Sequence, residues 1–181
     1  MRAPRRGVRC LAAAWTVLLA AAPIQGQDSK SSQLAVEASK LLDAAKLGAV
    51  AAKLGGDEYV GALYLAGSQL LVVKARYIVP ERMDAQLQAK NYREVYIDLN
   101  SASVAGSKTL VADFGANGLQ ARRRENQAPD TVDVGGKSHA FDGDWGKAKL
   151  SEEEYTKIFQ TTDAEYVRML EALVAELKKP A

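Results

Sequence analysis

Two apolar runs joined by a short turn, between Tyr59 and Val79, constrain the fold of this chain more than any other stretch. The runs are Tyr59–Leu65 and Leu70–Tyr77, and both are rich in β-branched and aromatic residues. The turn between them, Ala66–Gln69, contains a glycine, and this arrangement is typical of a β-hairpin. The first half of the second run is apolar at every position, so both faces of that strand are expected to be covered. We therefore predict that it lies in the middle of an antiparallel sheet.

Further strands are predicted on the C-terminal side of this hairpin. Tyr92–Asn100 alternates most clearly, and Lys108–Phe114 follows a small-residue loop at 101–107. On the strand Lys108–Phe114 we expect Leu110, Ala112 and Phe114 to face inward. Residues 119–129 are predicted to form a loop. The pair Gly135-Gly136, between strands predicted at Thr131–Val134 and Lys137–Phe141, indicates a second hairpin.

Helices are predicted at both ends of the folded part. Apolar residues recur at steps of three and four from Gln33 onwards, which indicates one face of a helix. Residues 47–54 are ambiguous. Alanine favours a helix that continues to Leu54 and stops at Gly55-Gly56, whereas the alternative ends the helix near Lys46 and makes 47–54 a strand.

A shorter helix is expected at 81–90, after Pro80. The last helix begins at Ser151, which forms a capping box with Glu154 three residues later. Its apolar stripe continues for more than six turns, and a second capping pair at Thr162 and Glu165 predicts a kink or restart as an alternative to one straight helix. The predicted fold is α+β, with an antiparallel sheet of about five or six strands covered by N- and C-terminal helices.

The N-terminus has the layout of a secretory signal peptide. Four arginines without an acid precede a short apolar run, Cys10–Ala22, and a polar stretch follows. Such a run is too short for a permanent membrane span, so we expect removal of residues 1–26 and export to the periplasm or the exterior, without a stable membrane anchor. Residues 27–32 are predicted to be a linker, and residues 33–181 a single domain.

Loss of the signal peptide changes the charge of the protein. The formal net charge of the whole chain is +2, and removal of the four arginines takes it to −2, so general affinity for nucleic acid is not expected. The only cysteine, Cys10, lies in the signal peptide, so the mature protein is predicted to have no disulfide and no thiolate metal site.

The predicted ligand site consists of cations. Lys74 and Arg76 share one face of the central strand, and Arg82 opens the helix that follows. Convergent cations near a helix N-terminus can hold a phosphate or carboxylate. The alternative is that the long side chains lie over an exposed part of the sheet.

Three other motifs have structural interpretations that we favour. Asp142 and Asp144 occupy positions one and three of a calcium-loop pattern, but Lys147 replaces the glycine at position six, so we predict an Asx-type turn with Trp145 against the last helix. His139, the only histidine, is expected to be structural or exposed, and no metal site is predicted. Arg122–Arg124 could bind an anion, although a run of cations is more often a solvated loop.

Residues 47–61 read Leu-Gly-Ala-Val-Ala-Ala-Lys-Leu-Gly-Gly-Asp-Glu-Tyr-Val-Gly. With the order helix, hairpin, helix, strand, strand over residues 41–114, this stretch resembles the FMN-binding split-barrel proteins, the pyridoxamine-phosphate-oxidase-like group. The resemblance implies a split barrel in which Lys74, Arg76 and Arg82 would meet the flavin phosphate.

Two function classes follow. The first is a non-catalytic exported module that binds a small anionic ligand or a protein partner, without a cofactor. The second is an FMN-dependent oxidoreductase, with an apolar wall from Tyr64 or Tyr77 for the flavin ring.

Overall fold

The computed structural model describes residues 29–56, 58–77, 104–134 and 136–180. These residues form two helices, α1 (Lys30–Ala44) and α2 (Glu152–Leu177). The described residues also form six strands, β1 (Ala49–Gly55), β2 (Glu58–Leu65), β3 (Gln69–Tyr77), β4 (Val104–Phe114), β5 (Asp130–Val134) and β6 (Lys137–Phe141). The predicted signal peptide, the helix at 81–90 and the strand Tyr92–Asn100 lie outside the described residues.

The six described strands form one antiparallel sheet in which each strand pairs with its neighbours in the chain. The predicted α+β class is therefore confirmed, and both predicted hairpins, β2–β3 and β5–β6, are present. β3 lies between β2 and β4, as its doubly apolar first half predicted. In the described part of the chain the sheet is open, because β1 and β6 are its two edges.

One face of the sheet packs against α2, which in turn packs against α1. Alternate side chains of the central strands point to this face, and Val60, Val72 and Val111 are completely buried there. The predicted stripe of α2 supplies the other half of the core. Its buried members are Tyr155, Phe159, Thr162, Tyr166, Met169, Leu170, Leu173 and Val174.

The end of α1 corrects the prediction for residues 47–54. The helix does not continue to Leu54, because it ends in a Schellman motif in which Leu47 N–H donates to Leu42 O over 2.9 Å and Lys46 N–H donates to Asp43 O over 3.1 Å. Lys46 has the left-handed φ of 54° that this motif needs. Residues 49–55 then pair with β2 as β1. Pairing along an existing hairpin outweighs the small helix preference of alanine.

The start of α1 also differs from the prediction. Ser29 is the N-cap, and its hydroxyl accepts a hydrogen bond from Ser32 N–H over 3.2 Å. Residues 30–32, predicted to be linker, are therefore the first turn of the helix. Lys30 pairs with Glu171 over 2.5 Å and Glu37 pairs with Lys178 over 2.6 Å, so α1 and α2 run in the same direction.

β4 begins at Val104, inside the predicted loop, and its predicted orientation is wrong. Val111 and Asp113, both fully buried, face the helices. Leu110, Ala112 and Phe114 lie on the opposite side, because Val111 pairs with Val72 of β3 and Val132 of β5, whose side chains are on the helix side. The burial of Asp113 was not predicted. Its carboxylate tolerates burial because it accepts hydrogen bonds from Asn117 N–H, Gly118 N–H and the Tyr166 hydroxyl.

α2 begins with the predicted capping box. Ser151 Oγ accepts from Glu154 N–H over 3.2 Å, and the Glu154 carboxylate accepts from Ser151 N–H over 2.8 Å. The alternative of a helix restart at Thr162 is wrong, because the helix is continuous from residue 152 to residue 177. Thr162 is a buried position of the apolar stripe rather than a new N-cap.

Candidate functional site

The predicted cation Lys74 lies between two carboxylates. Its Nζ is 2.5 Å from Glu165 Oε1 of α2 and 4.0 Å from Glu58 Oε1 of β2, and its side chain is 17% exposed. Arg168 joins the same group through Glu58 at 3.3 Å and Glu165 at 3.2 Å. The positive charge of Lys74 is thus matched locally by negative charge, and the group of four ties α2 to the hairpin.

The other members of the predicted phosphate site stay predictions. Arg76 is part of β3 and pairs with Glu58 in the register, but its side chain and the whole of Arg82 lie outside the described residues. Tyr64, one proposed wall for a flavin ring, pairs with Leu70, four positions along β3 from Lys74. At ~3.3 Å per residue this is about 13 Å. Tyr64 also contacts its own turn, since its hydroxyl accepts from Gly67 N–H over 2.9 Å.

Asp113 is a buried carboxylate that organises the turn after β4. Its Oδ1 accepts from Asn117 N–H over 3.0 Å, and its Oδ2 accepts from Gly118 N–H over 2.8 Å. The Tyr166 hydroxyl of α2 donates to the same Oδ2 over 2.9 Å. One side chain therefore connects the sheet, the turn at 115–118 and the last helix.

A second buried carboxylate, Asp130, opens β5 and acts on the same segment. Its Oδ1 accepts from Phe114 N–H over 2.8 Å, and its Oδ2 accepts from Gln120 N–H over 2.7 Å. Between them, Asp113 and Asp130 accept four backbone N–H groups of residues 114–120. In this segment Leu119 is fully buried in the core.

Burial dominates the electrostatics of this pair. It raises the pKa of Asp113, although the hydrogen bonds from Asn117, Gly118 and Tyr166 lower it. Burial, followed by repulsion from Asp113, raises the pKa of Asp130 to about 7. Burial also raises the pKa of Tyr166 well above its usual range. Asp113 and Asp130 therefore make favourable hydrogen bonds, but their burial makes two negative charges at this position unfavourable.

The segment 114–120 is closed against α1 as well. Gly118 has a φ of +88°, and a β-carbon placed there would lie 2.5 Å from the backbone of Ser32. Only glycine fits both the conformation and the space. The Asp113–Asp130–Tyr166 cluster is therefore sealed from solvent on the helix side.

Sequence reasoning missed this cluster. Its aspartates stand at strand ends, where an exposed carboxylate is the usual expectation, and Tyr166 was counted only as part of an apolar stripe. The available signal was Asp113 in the apolar second half of the strand, two residues before the Gly-Ala-Asn-Gly turn that its carboxylate caps.

The acidic turn after β6 has the predicted structure. Asp142 Oδ1 accepts from Asp144 N–H over 2.8 Å, which is an Asx turn, and Asp144 Oδ2 is 2.9 Å from Lys147 Nζ. The ring of Trp145 lies 6.5 Å from that of Tyr155 on α2. The described residues contain no group of three His, Cys, Asp or Glu side chains that could hold a metal ion.

The loop that carries Arg122–Arg124, here called the arginine loop, is fixed at both ends. The Tyr155 hydroxyl donates to Ala121 O over 3.1 Å, and the Gln127 side chain donates to Phe114 O. The stem of Arg122 packs over Gly143. Arg122 and Arg123 are exposed and Arg124 is half-buried. No ion pair joins the three arginines to any residue that the structure describes.

Two further observations concern partners and relatives. Neither helix of the described part combines the length and apolar character that crossing a membrane requires. Comparison with known proteins gives no match among family models, curated proteins or solved structures.

Proposed function

We propose that this protein is an exported, non-catalytic binding module whose arginine loop receives an anionic ligand or an acidic partner segment. The observation that carries the proposal is the arginine loop. Its three contiguous arginines have no ion-pair partner among the described residues, and its backbone is held at both ends. Arginine binds carboxylate or phosphate through two parallel N–H donors, and a fixed loop loses less entropy on binding than a mobile one.

The polar groups of the core support a binding role rather than catalysis. Asp113, Asp130 and Tyr166 are almost fully buried, and the hydrogen bonds of both carboxylates go to backbone N–H groups or to Tyr166. A catalytic acid or base must be within reach of the atom whose proton it moves. These three groups instead hold the segment 114–120, which precedes the arginine loop. The N-terminal sequence pattern supports export.

The experiment compares anion binding in variants of equal charge. Calorimetric titration with a short poly-glutamate peptide and with inorganic phosphate uses the wild type and R122Q/R123Q. The control is K40Q/K53Q, which removes two exposed lysines that have no ion pair among the described residues. We expect binding that weakens at least about tenfold in R122Q/R123Q, or about 1.4 kcal/mol, and is kept in the control. Equal loss in both would show attraction by net charge alone and contradict the proposal.

The alternative, an FMN-dependent oxidoreductase, would place the flavin phosphate at Lys74. The pairing of Lys74 with Glu165 and Glu58 disfavours a dianion there, since the phosphate would lie beside two carboxylates. We expect colourless protein and FMN binding no tighter than about 100 μM, or about −5.5 kcal/mol. Micromolar FMN binding in a fluorescence titration, lost in Arg76→Ala, would contradict the binding-module proposal and support the flavoprotein.

A further inference from the structure

The arginine loop and the turn that carries Asp142–Trp145 are joined by one hydroxyl group. Tyr155 Oη donates to Ala121 O over 3.1 Å and accepts from Gly143 N–H over 3.2 Å. It also lies 3.4 Å from Ala140 O in β6. Tyr155 belongs to α2 and is 7% exposed. The same side chain therefore fixes the two segments relative to each other and to the core.

This junction places an arginine side chain beside an indole ring. A β-carbon built on Gly143 would lie 3.1 Å from Cγ and 3.3 Å from Cδ of Arg122, so the stem of Arg122 lies directly over Gly143. Trp145 follows two positions later, and its ring centroid is 6.5 Å from that of Tyr155. Arg122 is exposed, and Trp145 is half-buried against the core. Arg122, Arg123 and the open part of Trp145 form what we call the loop–turn surface.

The turn that presents Trp145 is held by its own hydrogen bonds. Asp142 Oδ1 accepts from Asp144 N–H over 2.8 Å. On the other side of Trp145, the N–H groups of Ala148 and Leu150 donate to Asp144 O over 3.4 Å and to Trp145 O over 3.1 Å. A ring that is already held in place loses less entropy when a ligand packs on it than a mobile side chain does.

The charges around the loop–turn surface favour a carboxylate over a phosphate dianion. Arg122 and Arg123 are exposed and have no ion-pair partner in the described part of the chain. Asp144 is matched by Lys147, whose Nζ lies 2.9 Å from Oδ2. Asp142 has no such partner among the described residues, so its negative charge remains beside the arginine loop. A like charge opposes a dianion more strongly than a single carboxylate.

We propose that the loop–turn surface binds a peptide segment that presents a carboxylate beside an aromatic ring, with the carboxylate on Arg122 and Arg123 and the ring on Trp145. This inference rests on the proposed function and names the ligand class within it. The arginine fork supplies two parallel N–H donors for the carboxylate. The indole supplies an offset or edge-to-face partner for the second ring. The arginines alone would not distinguish such a segment from another anion of equal charge.

The first test asks whether Arg122 acts at Trp145. The chain has two tryptophans, and the other one, Trp15, lies in the predicted signal peptide, so W15F leaves Trp145 as the only indole. At constant ionic strength, iodide should quench its fluorescence about twofold less when R122Q is added, because a cationic surface concentrates anions. Quenching by neutral acrylamide should stay the same, and K40Q should change neither value. Iodide quenching that R122Q leaves unchanged would overturn the proposal.

The second test compares two peptides of equal charge with blocked termini, Glu-Glu-Phe-Glu-Glu and Glu-Glu-Ala-Glu-Glu, by calorimetric titration. We expect the phenylalanine peptide to bind at least about fivefold more tightly and to change the emission of Trp145 in W15F. The preference should disappear in W145L, which keeps an apolar side chain against Tyr155. R122Q should weaken the binding of both peptides, and inorganic phosphate should bind more weakly than either.

Failure of this inference and failure of the proposed function give different results. Equal affinity for the two peptides, or a preference that survives in W145L, would overturn the aromatic contact while the arginine loop still binds acids. Phosphate binding tighter than peptide binding would overturn the carboxylate preference. Absence of binding by both peptides and by phosphate would contradict the proposed function as well. If W145L does not fold, unchanged Trp145 emission in W15F with the phenylalanine peptide bound would refute the contact.

Discussion

The hydroxyl of Tyr166 donates a hydrogen bond of 2.9 Å to Asp113 Oδ2 across 53 positions of sequence. This contact joins the last helix to the fourth strand in the fully buried part of the molecule. Since Asp113 also holds the turn at 115–118, the position of α2 and the shape of that turn depend on one another.

Removal of this bond should be costly. Tyr166→Phe leaves Asp113 buried with one partner fewer, and we expect a loss of about 1–3 kcal/mol in the free energy of unfolding. Tyr64→Phe is the matched control, because it removes one exposed hydrogen bond to Gly67 N–H and should cost less than about 1 kcal/mol. Urea denaturation measures both. An equal cost for the two variants would show that burial of the Tyr166–Asp113 bond has no special importance.

Gly118 should tolerate no side chain. In Gly118→Ala the new β-carbon would meet the Ser32 backbone at 2.5 Å in a left-handed conformation, so strain and overpacking add to at least about 3 kcal/mol. Gly67 has a similar φ of +75° but nothing within 4 Å of its β position. Gly67→Ala should therefore cost only the conformational term, about 1–2 kcal/mol. Thermal and urea melts that give the same value for both would contradict the close packing of the turn on α1.

The apolar stripe of α2 should carry much of the stability. Leu170 is completely buried, and Leu170→Ala is expected to cost about 2–5 kcal/mol as a cavity-forming change. Leu47, at 47% exposed, is the control, and Leu47→Ala should change stability by no more than about 0.5 kcal/mol. Denaturant melts with unchanged m-values would make the comparison valid. The companion site predicted from sequence, Ile97, lies outside the described residues.

The export prediction can be tested by mass. Produced with its full N-terminus in a bacterium, the protein should lose residues 1–26, because a basic segment, a short apolar run and a polar stretch form a cleavable signal. Intact-mass spectrometry of the purified protein gives the cleavage site directly. Recovery of the full-length chain from the cytosol would contradict the signal-peptide interpretation.

Local chemistry in the sequence predicted the elements whose signals are short-range. The Gly-containing turn and its two apolar flanks predicted the β2–β3 hairpin, Gly135-Gly136 predicted the β5–β6 hairpin, and Ser151 with Glu154 predicted the start of α2. The period of the stripe that includes Tyr155 predicted the buried face of that helix. In each case neighbouring residues determine the backbone, so no distant partner is needed to recognise the element.

The sequence alone did not predict features that depend on distant partners. Residues 49–55 became a strand because β2 was available for pairing, and Asp113 faces inward because Tyr166 and the N–H groups of its turn satisfy it. Lys74 is neutralised by Glu165, which is 91 positions away in the chain. Burial and pairing arise only when remote segments meet, and the free energy of a buried charge depends almost entirely on those neighbours. The hairpin signals, helix cap and apolar stripe were therefore determined by the sequence itself, while the buried hydrogen bonds of Asp113 and Asp130 and the balance of charge around Lys74 were decided by the tertiary structure.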